Sequence, residues 1–97
     1  MNGFNDATIL KLSFAFPSLE KADGLSPWNP VRLDSWAIEL GRSRNELHSA
    51  RFLLSVWNSE FDWDCGVFDP QSAIRSWDRI HRRAYLDYAS QDFALAC

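Results

Sequence analysis

The fold is decided by residues 69–88, which read DPQSAIRSWDRIHRRAYLDY. An aspartate followed by a proline is a typical helix start, because the carboxylate caps the first turn and the proline ring presets a helical φ angle. On a helical wheel one side of the stretch is apolar and aromatic: Ala73, Ile74, Trp77, Ile80, His81, Ala84, Tyr85 and Tyr88. The pattern predicts one amphipathic helix over residues 70–89, whose aromatic side must be buried by the rest of the chain.

Two further helices follow from their own start signals. Asn29 and Pro30 repeat the cap-and-proline pattern, and apolar residues then recur at helical spacing up to Gly41, which predicts a helix over 30–40. Ser43 and Glu46 have the spacing of a capping box, which predicts a helix over 44–57. That helix is apolar on nearly every side, so we expect it at the centre of the fold.

Residues 7–16 fit two patterns. Alternate residues are apolar, as in a strand: Leu10, Leu12, Phe14 and Phe16. Capping residues before the segment and Pro17 after it favour a helix instead. No second strand is evident to pair with this one, and a lone strand leaves its backbone groups unsatisfied, so we predict a helix over 7–16.

Residues 1–97 are therefore predicted to form a single all-α domain, a small bundle of about four helices. A chain of this length buries one hydrophobic core but not two. Five Trp, seven Phe and two Tyr side chains give it much buried area per residue, which offsets the poor surface-to-volume ratio of a small domain.

The formal net charge of −3, from ten basic and thirteen acidic residues, disfavours a nucleic-acid-binding domain, which usually carries a basic excess. Neither a signal peptide nor an apolar run of the roughly 18 residues needed for a membrane span is apparent. Cys65 and Cys97 are too few for a disulfide framework and are predicted to be free thiols. We predict a cytoplasmic protein with no cofactor and no membrane contact.

The connection at residues 58–68, NSEFDWDCGVF, is called the acidic loop below. Acidic and aromatic side chains alternate in it: Glu60, Phe61, Asp62, Trp63 and Asp64. An EF-hand loop needs glycine at its sixth position, which is Cys65 counted from Glu60 and Val67 counted from Asp62, so we do not expect bound calcium. We expect the aromatic residues to pack the loop onto the core.

One set of residues in the C-terminal half forms a recognisable pattern: Leu54, Ser55, Val56, Trp57, Asn58, Asp62, Trp63, Gly66, Phe68, Asp69, Trp77, Asp78, His81 and Arg82. In this pattern the chain resembles a family of small uncharacterised bacterial proteins with a Trp-Asp and His-Arg helix. In the N-terminal half only the SPWNP stretch at 26–30 joins it. Such genes often lie in or near mobile elements. The resemblance implies no activity, so no functional residues are carried over.

Four arginines form what we call the arginine face: Arg75, Arg79, Arg82 and Arg83. One interpretation is phosphate contact combined with base stacking on Trp63. The other is a solvated face partly neutralised by Asp78 and Asp87 of the same helix, and the overall acidity of the chain favours it.

We predict a non-catalytic protein-interaction or accessory module of bacterial or mobile-element origin, one version of which is an inhibitor of a host defence complex. It would occlude its partner through the acidic loop or the arginine face, and the candidate contact residues are Asp62, Trp63, Asp64, Arg75, Arg79 and Arg82. A nucleic-acid-associated module using Arg75, Arg79 and Arg82 is the alternative. The expected partner is a protein, and a homodimer stays open.

An enzyme is not predicted. A Cys65 thiolate activated by a histidine is the remaining catalytic interpretation, but no third group that would orient the pair is evident in the sequence. His48 and His81 are the only histidines. Without metal-ligand spacing around them, we expect each to be a hydrogen-bonded residue at the margin of the core.

Overall fold

The computed structural model describes residues 6–96, with side chains described for 7–90. The regular secondary structure of this part of the chain is helical, without strands. Its five α-helices are α1 (Asp6–Ser13), α2 (Pro30–Ala37), α3 (Arg44–Trp57), α4 (Pro70–Ser76) and α5 (Arg79–Ala96), and a 3₁₀ turn at Pro17–Leu19 follows α1. The Cα radius of gyration, 12.4 Å, matches the roughly 12.5 Å expected of one compact domain of this length. The predicted all-α class is confirmed.

The predicted helix starts are confirmed by their caps. The Asn29 side chain accepts the Arg32 N–H at 3.2 Å, and the Asp69 side chain accepts the Gln71 N–H at 3.2 Å. At α3 both halves of the capping box form, with Ser43 and Glu46 each accepting the other's backbone N–H. These bonds satisfy donors that would otherwise be unpaired in the first helical turn.

Two helices end earlier than predicted. α1 stops at Ser13, because the next three residues bond three positions back rather than four and lead the chain into the 3₁₀ turn. α2 stops at Ala37, and the Arg42 side chain covers this end of the helix. Its Nε donates to the Trp36 carbonyl at 2.8 Å while its guanidinium lies 4.1 Å from the Trp36 ring. Leu40, predicted on the apolar side, is fully exposed.

The single helix predicted over 70–89 is wrong. Trp77 has an extended backbone, with φ −67° and ψ 148°, and it ends α4. The Asp78 carboxylate accepts the His81 N–H at 3.0 Å and so starts α5 afresh. The break alters which side chains face inward. Trp77 is 2% exposed, as a central core residue should be, whereas Ile80 is 60% exposed.

α3 is the central helix, as predicted, and contacts α1, α2, α4 and the 3₁₀ turn. Around it lies the buried core: Phe16, Leu19, Leu33, Trp36, Ala37, Ala50, Phe52, Leu53, Leu54, Cys65, Ala73 and Trp77. Phe52 lies within a cluster of aromatic rings and contacts those of Phe16, Phe68, Tyr85 and Tyr88 at centroid separations of 5.1–5.4 Å. None of the described helices has the length and apolar character needed to cross a lipid bilayer.

Candidate functional site

The acidic loop is held by two charged residues that the sequence analysis did not single out. The buried Asp34 of α2 accepts backbone N–H groups from Asp64 at 3.0 Å and from Cys65 at 2.8 Å. From α3, the Arg51 Nε donates to the Cys65 carbonyl at 2.6 Å. A carboxylate that accepts two N–H groups in a buried position holds a loop firmly, because charge-assisted hydrogen bonds are stronger than neutral ones.

Gly66 lets the chain pass close to Arg51. Its φ of +97° is unfavourable for any residue with a Cβ, and a Cβ there would lie 2.9 Å from the Arg51 Nη2. The glycine therefore allows the close approach of the loop backbone to Arg51. Among residues 7–90 no group of three or more His, Cys, Asp or Glu side chains is arranged to hold a metal ion.

The outer side of the acidic loop carries the predicted contact residues Asp62, Trp63 and Asp64. Both carboxylates are exposed and the indole is partly buried. The Trp63 Nε1 donates to the Asn58 carbonyl at 3.2 Å, and the exposed Phe61 ring packs on the indole at a centroid distance of 4.3 Å. The loop thus packs on the core as expected, but it also presents an aromatic side chain to solvent.

The break between α4 and α5 divides the predicted arginine face. Arg75 belongs to α4, whereas Arg79, Arg82 and Arg83 belong to the start of α5. Together with Ile80 and Leu86, the α5 arginines line a shallow groove that is open to solvent, and all five residues belong to α5 itself. We call these five residues the arginine groove.

Most charges of the arginine groove have no internal partner. Arg83 bonds Asp87 at 3.2 Å. Within the described part of the chain, Arg75, Arg79 and Arg82 form no ion pair. The structure therefore brings three of the four predicted arginines together, and it adds two exposed aliphatic residues that the wheel of an unbroken helix had not placed beside them.

Cys65 lacks the properties of a catalytic nucleophile. Burial, and secondly the neighbouring Asp34 carboxylate, raise the pKa of its thiol to about 12. A cysteine acts as a nucleophile only as the thiolate, which such a pKa disfavours at neutral pH. Cys97 lies outside the described residues.

A serine, a histidine and an aspartate are aligned where the 3₁₀ turn meets the start of α5. The Ser18 Oγ lies 2.8 Å from the His81 Nε2, and the His81 Nδ1 lies 2.7 Å from the Asp78 Oδ1. Hydrogen bonds from the His81 backbone N–H and then from its imidazole lower the pKa of Asp78. This order of groups is that of the nucleophile, base and acid of serine hydrolases.

The hydrogen bonds of Ser18, however, are made to groups inside the protein. Its own backbone N–H, a group that a hydrolase would direct at an oxyanion, donates to the His81 Nε2 at 3.2 Å. Its hydroxyl also lies 3.2 Å from the Asn45 carbonyl and from the Ser49 hydroxyl. His81 is 3% exposed and hydrogen-bonded, which confirms the prediction for this residue. The same prediction is wrong for the Nδ1 of the buried His48, which has no hydrogen-bond partner among the described residues.

The same network continues into the core, where the Trp77 Nε1 donates to the Ser49 hydroxyl at 3.2 Å. The groove beside the 3₁₀ turn is lined by Pro17 and Leu19 but not by Ser18. The network therefore connects the 3₁₀ turn, α3 and the break between α4 and α5. We call its five residues the seryl lock: Ser18, Ser49, Trp77, Asp78 and His81. Ser49 was its one signal in the sequence, since a polar residue within an apolar helix requires a partner.

Comparison with protein-family models, with curated proteins and with solved structures finds no match for the chain. The family resemblance of the C-terminal half therefore stays a prediction, and the function must be argued from the surfaces described above.

Proposed function

We propose that the protein is a non-catalytic interaction module that docks on another protein through the arginine groove. The observation that carries this proposal is the position of the arginines at the start of α5. The N-terminus of a helix bears a partial positive charge, which makes cations there unfavourable by about 0.3–1 kcal/mol each when salt is low. Arg79 and Arg82 lie in the first turn and form no ion pair among the described residues, and the Asp78 carboxylate that caps this turn is bonded to His81. An external anion would compensate the positive charge that remains.

A protein partner is favoured over a nucleic acid by the apolar part of the groove. Ile80 and Leu86 are 60% and 49% exposed beside the arginines. Arginine next to buried apolar area is typical of protein interfaces, whereas single-stranded nucleic acids are usually bound with aromatic rings on which bases stack. Among residues 7–90, no aromatic side chain lines the groove.

The nucleic-acid-associated module remains the second candidate, because the α5 arginines also suit phosphate groups. The bacterial or mobile-element origin rests on the family resemblance alone. So does the narrower version of the proposal, in which the protein inhibits a host defence complex by covering one of its surfaces.

The experiment is affinity capture from a bacterial lysate with three tagged proteins. These are the wild type, a groove variant (Arg79→Gln, Arg82→Gln, Arg83→Gln) and a control variant (Lys21→Gln, Arg32→Gln, Arg44→Gln). The control removes the same charge from exposed positions elsewhere on the chain. We expect the wild type and the control variant to retain a protein that the groove variant loses.

A further pair of variants separates the two partner classes. Ile80→Ala removes an exposed aliphatic side chain without altering charge, and Val31→Ala does the same at the exposed start of α2. A protein partner should be weakened by Ile80→Ala alone. Retention of nucleic acid that is equal in both variants, and that falls steeply with salt, would favour the second candidate instead.

A further inference from the structure

Charge is segregated between two consecutive segments of the chain. Residues 58–69 contain four acidic residues and no basic one, whereas residues 70–90 contain four arginines and two aspartates. Both of those aspartates are engaged within the molecule, Asp78 by His81 and Asp87 by Arg83. The acidic loop and the arginine groove are thus surfaces of opposite charge on one small protein.

The two surfaces do not neutralise each other within one molecule. Among the described residues, Glu60, Asp62 and Asp64 form no ion pair. The loop is anchored from behind through Asp34 and Arg51, so its carboxylates are presented outward on a held backbone. A surface that is already ordered loses less conformational entropy when it binds.

The apolar groups of the two surfaces also match. On the loop, the 55% exposed Phe61 stands between Glu60 and Asp62. On α5, Ile80 and Leu86 stand among Arg79, Arg82 and Arg83 around the shallow, open groove. The loop thus presents an aromatic side chain flanked by carboxylates, and α5 presents aliphatic side chains flanked by guanidinium groups, so a contact between the two would combine an apolar anchor with a charged rim.

We propose that the arginine groove of one copy of this protein binds the acidic loop of a second copy, with Phe61 against Ile80 and Leu86. This rests on the proposed function of the groove as a docking surface and names its occupant. Because the two contacting surfaces differ, the contact is head-to-tail and extends to a chain or closes to a ring. Exposed charges form much of it, so it weakens as salt rises.

The test is sedimentation velocity of the purified full-length chain over a range of protein concentrations, at low and at high salt. One variant reverses the groove (Arg79→Glu, Arg82→Glu), and a second reverses the loop (Glu60→Lys, Asp62→Lys). Reversal at either surface places like charges opposite each other, so each variant alone should associate at least about tenfold more weakly than the wild type. An equimolar mixture of the two should associate again, because both contacts are then complementary.

Circular dichroism melting shows whether each variant is folded, and recovery in the mixture excludes misfolding as the cause of the loss. A wild type that stays monomeric at low salt overturns the proposal, and so does a mixture that does not recover. Association of the reversed variants equal to that of the wild type overturns it as well. If the lysate experiment nevertheless retains a groove-dependent protein, the proposed function stands and its occupant is a different acidic protein.

Discussion

On one side of α5, His81 is buried and bonded to Ser18 and Asp78; on the other, Arg79 and Arg82 reach solvent with no partner among the described residues. Asp78, Arg79, His81 and Arg82 lie within the first turn of α5 and its cap. The buried side uses its polar groups to fix the helix against the core, and the exposed side leaves its charges unneutralised. The buried side therefore serves the stability of the fold, whereas the exposed side is available for binding. Substitutions on the two sides should have separate effects.

The largest effect should come from Trp77→Ala, which removes the ring at the centre of the buried side. We expect a loss of about 3–5 kcal/mol in the free energy of unfolding, because the substitution leaves a cavity and deprives Ser49 of its donor. Chemical denaturation measures it. A variant that unfolds cooperatively at nearly the wild-type midpoint would contradict the described core.

Asp34→Ala should rank second. It leaves the N–H groups of Asp64 and Cys65 without an acceptor, so we expect a loss of about 2–3 kcal/mol. Hydrogen exchange should accelerate at those two amides before others. Asp34→Asn, which keeps one acceptor oxygen, serves as the matched control and should recover part of the loss.

Ser18→Ala tests the seryl lock. The hydroxyl bonds in this network are neutral, so we expect a loss of about 1 kcal/mol in stability. A fluorophosphonate probe, which reacts with activated serines, should leave the wild-type protein unmodified. Labelling of Ser18 that disappears in His81→Gln would show that the alignment is catalytic after all.

A smaller effect depends on pH. Burial, and then the Arg51 and Arg44 charges, lower the pKa of His48, whose buried Nδ1 has no hydrogen-bond partner. The unfolded chain therefore binds the proton more readily, and stability should fall as pH decreases below the ordinary histidine pKa of about 6.5. Denaturation at pH 5.5 and 7.5 measures the slope, which should be shallower in His48→Gln.

The smallest effect on stability should come from the exposed side. In the triple variant Arg75→Gln, Arg79→Gln, Arg82→Gln, the free energy of unfolding should change by less than about 0.5 kcal/mol, because exposed charges contribute little to stability. For Arg79 and Arg82 the sign should be slightly stabilising, since cations are removed from a helix N-terminus. Thermal melting at low salt checks the sign. A clear loss of stability would show that the arginines serve the fold.

Local signals explain which parts of the fold could be predicted. Helix starts are encoded within four residues, so the caps at Asn29, Ser43 and Asp69 were readable. The break at Trp77 was also local, because Asp78 is a good cap three residues before His81, but the amphipathic pattern runs through it without interruption. When the residue at a helix break is itself buried, the amphipathic pattern continues through the break and does not reveal that one helix ends and another begins.

The anchoring groups could not be predicted, because their partners are distant in sequence. Asp34 lies thirty residues from Asp64, and Ser18 lies sixty-three residues from His81. Nothing in the neighbourhood of either residue indicates a partner. The acidic loop and the arginines could therefore be named from the sequence as candidate contact surfaces, which stays a prediction, whereas their positions on the molecule required the fold.

The break before α5 has a consequence for how this chain tolerates change in length. In an unbroken helix, one inserted residue turns all that follows by about 100°. Because Asp78 starts α5 anew and His81 sets its rotation against Ser18, the direction of the arginine groove is not set by the number of residues in α4. We therefore expect one residue inserted or removed near the start of α4 to disturb the packing of α4 without turning α5.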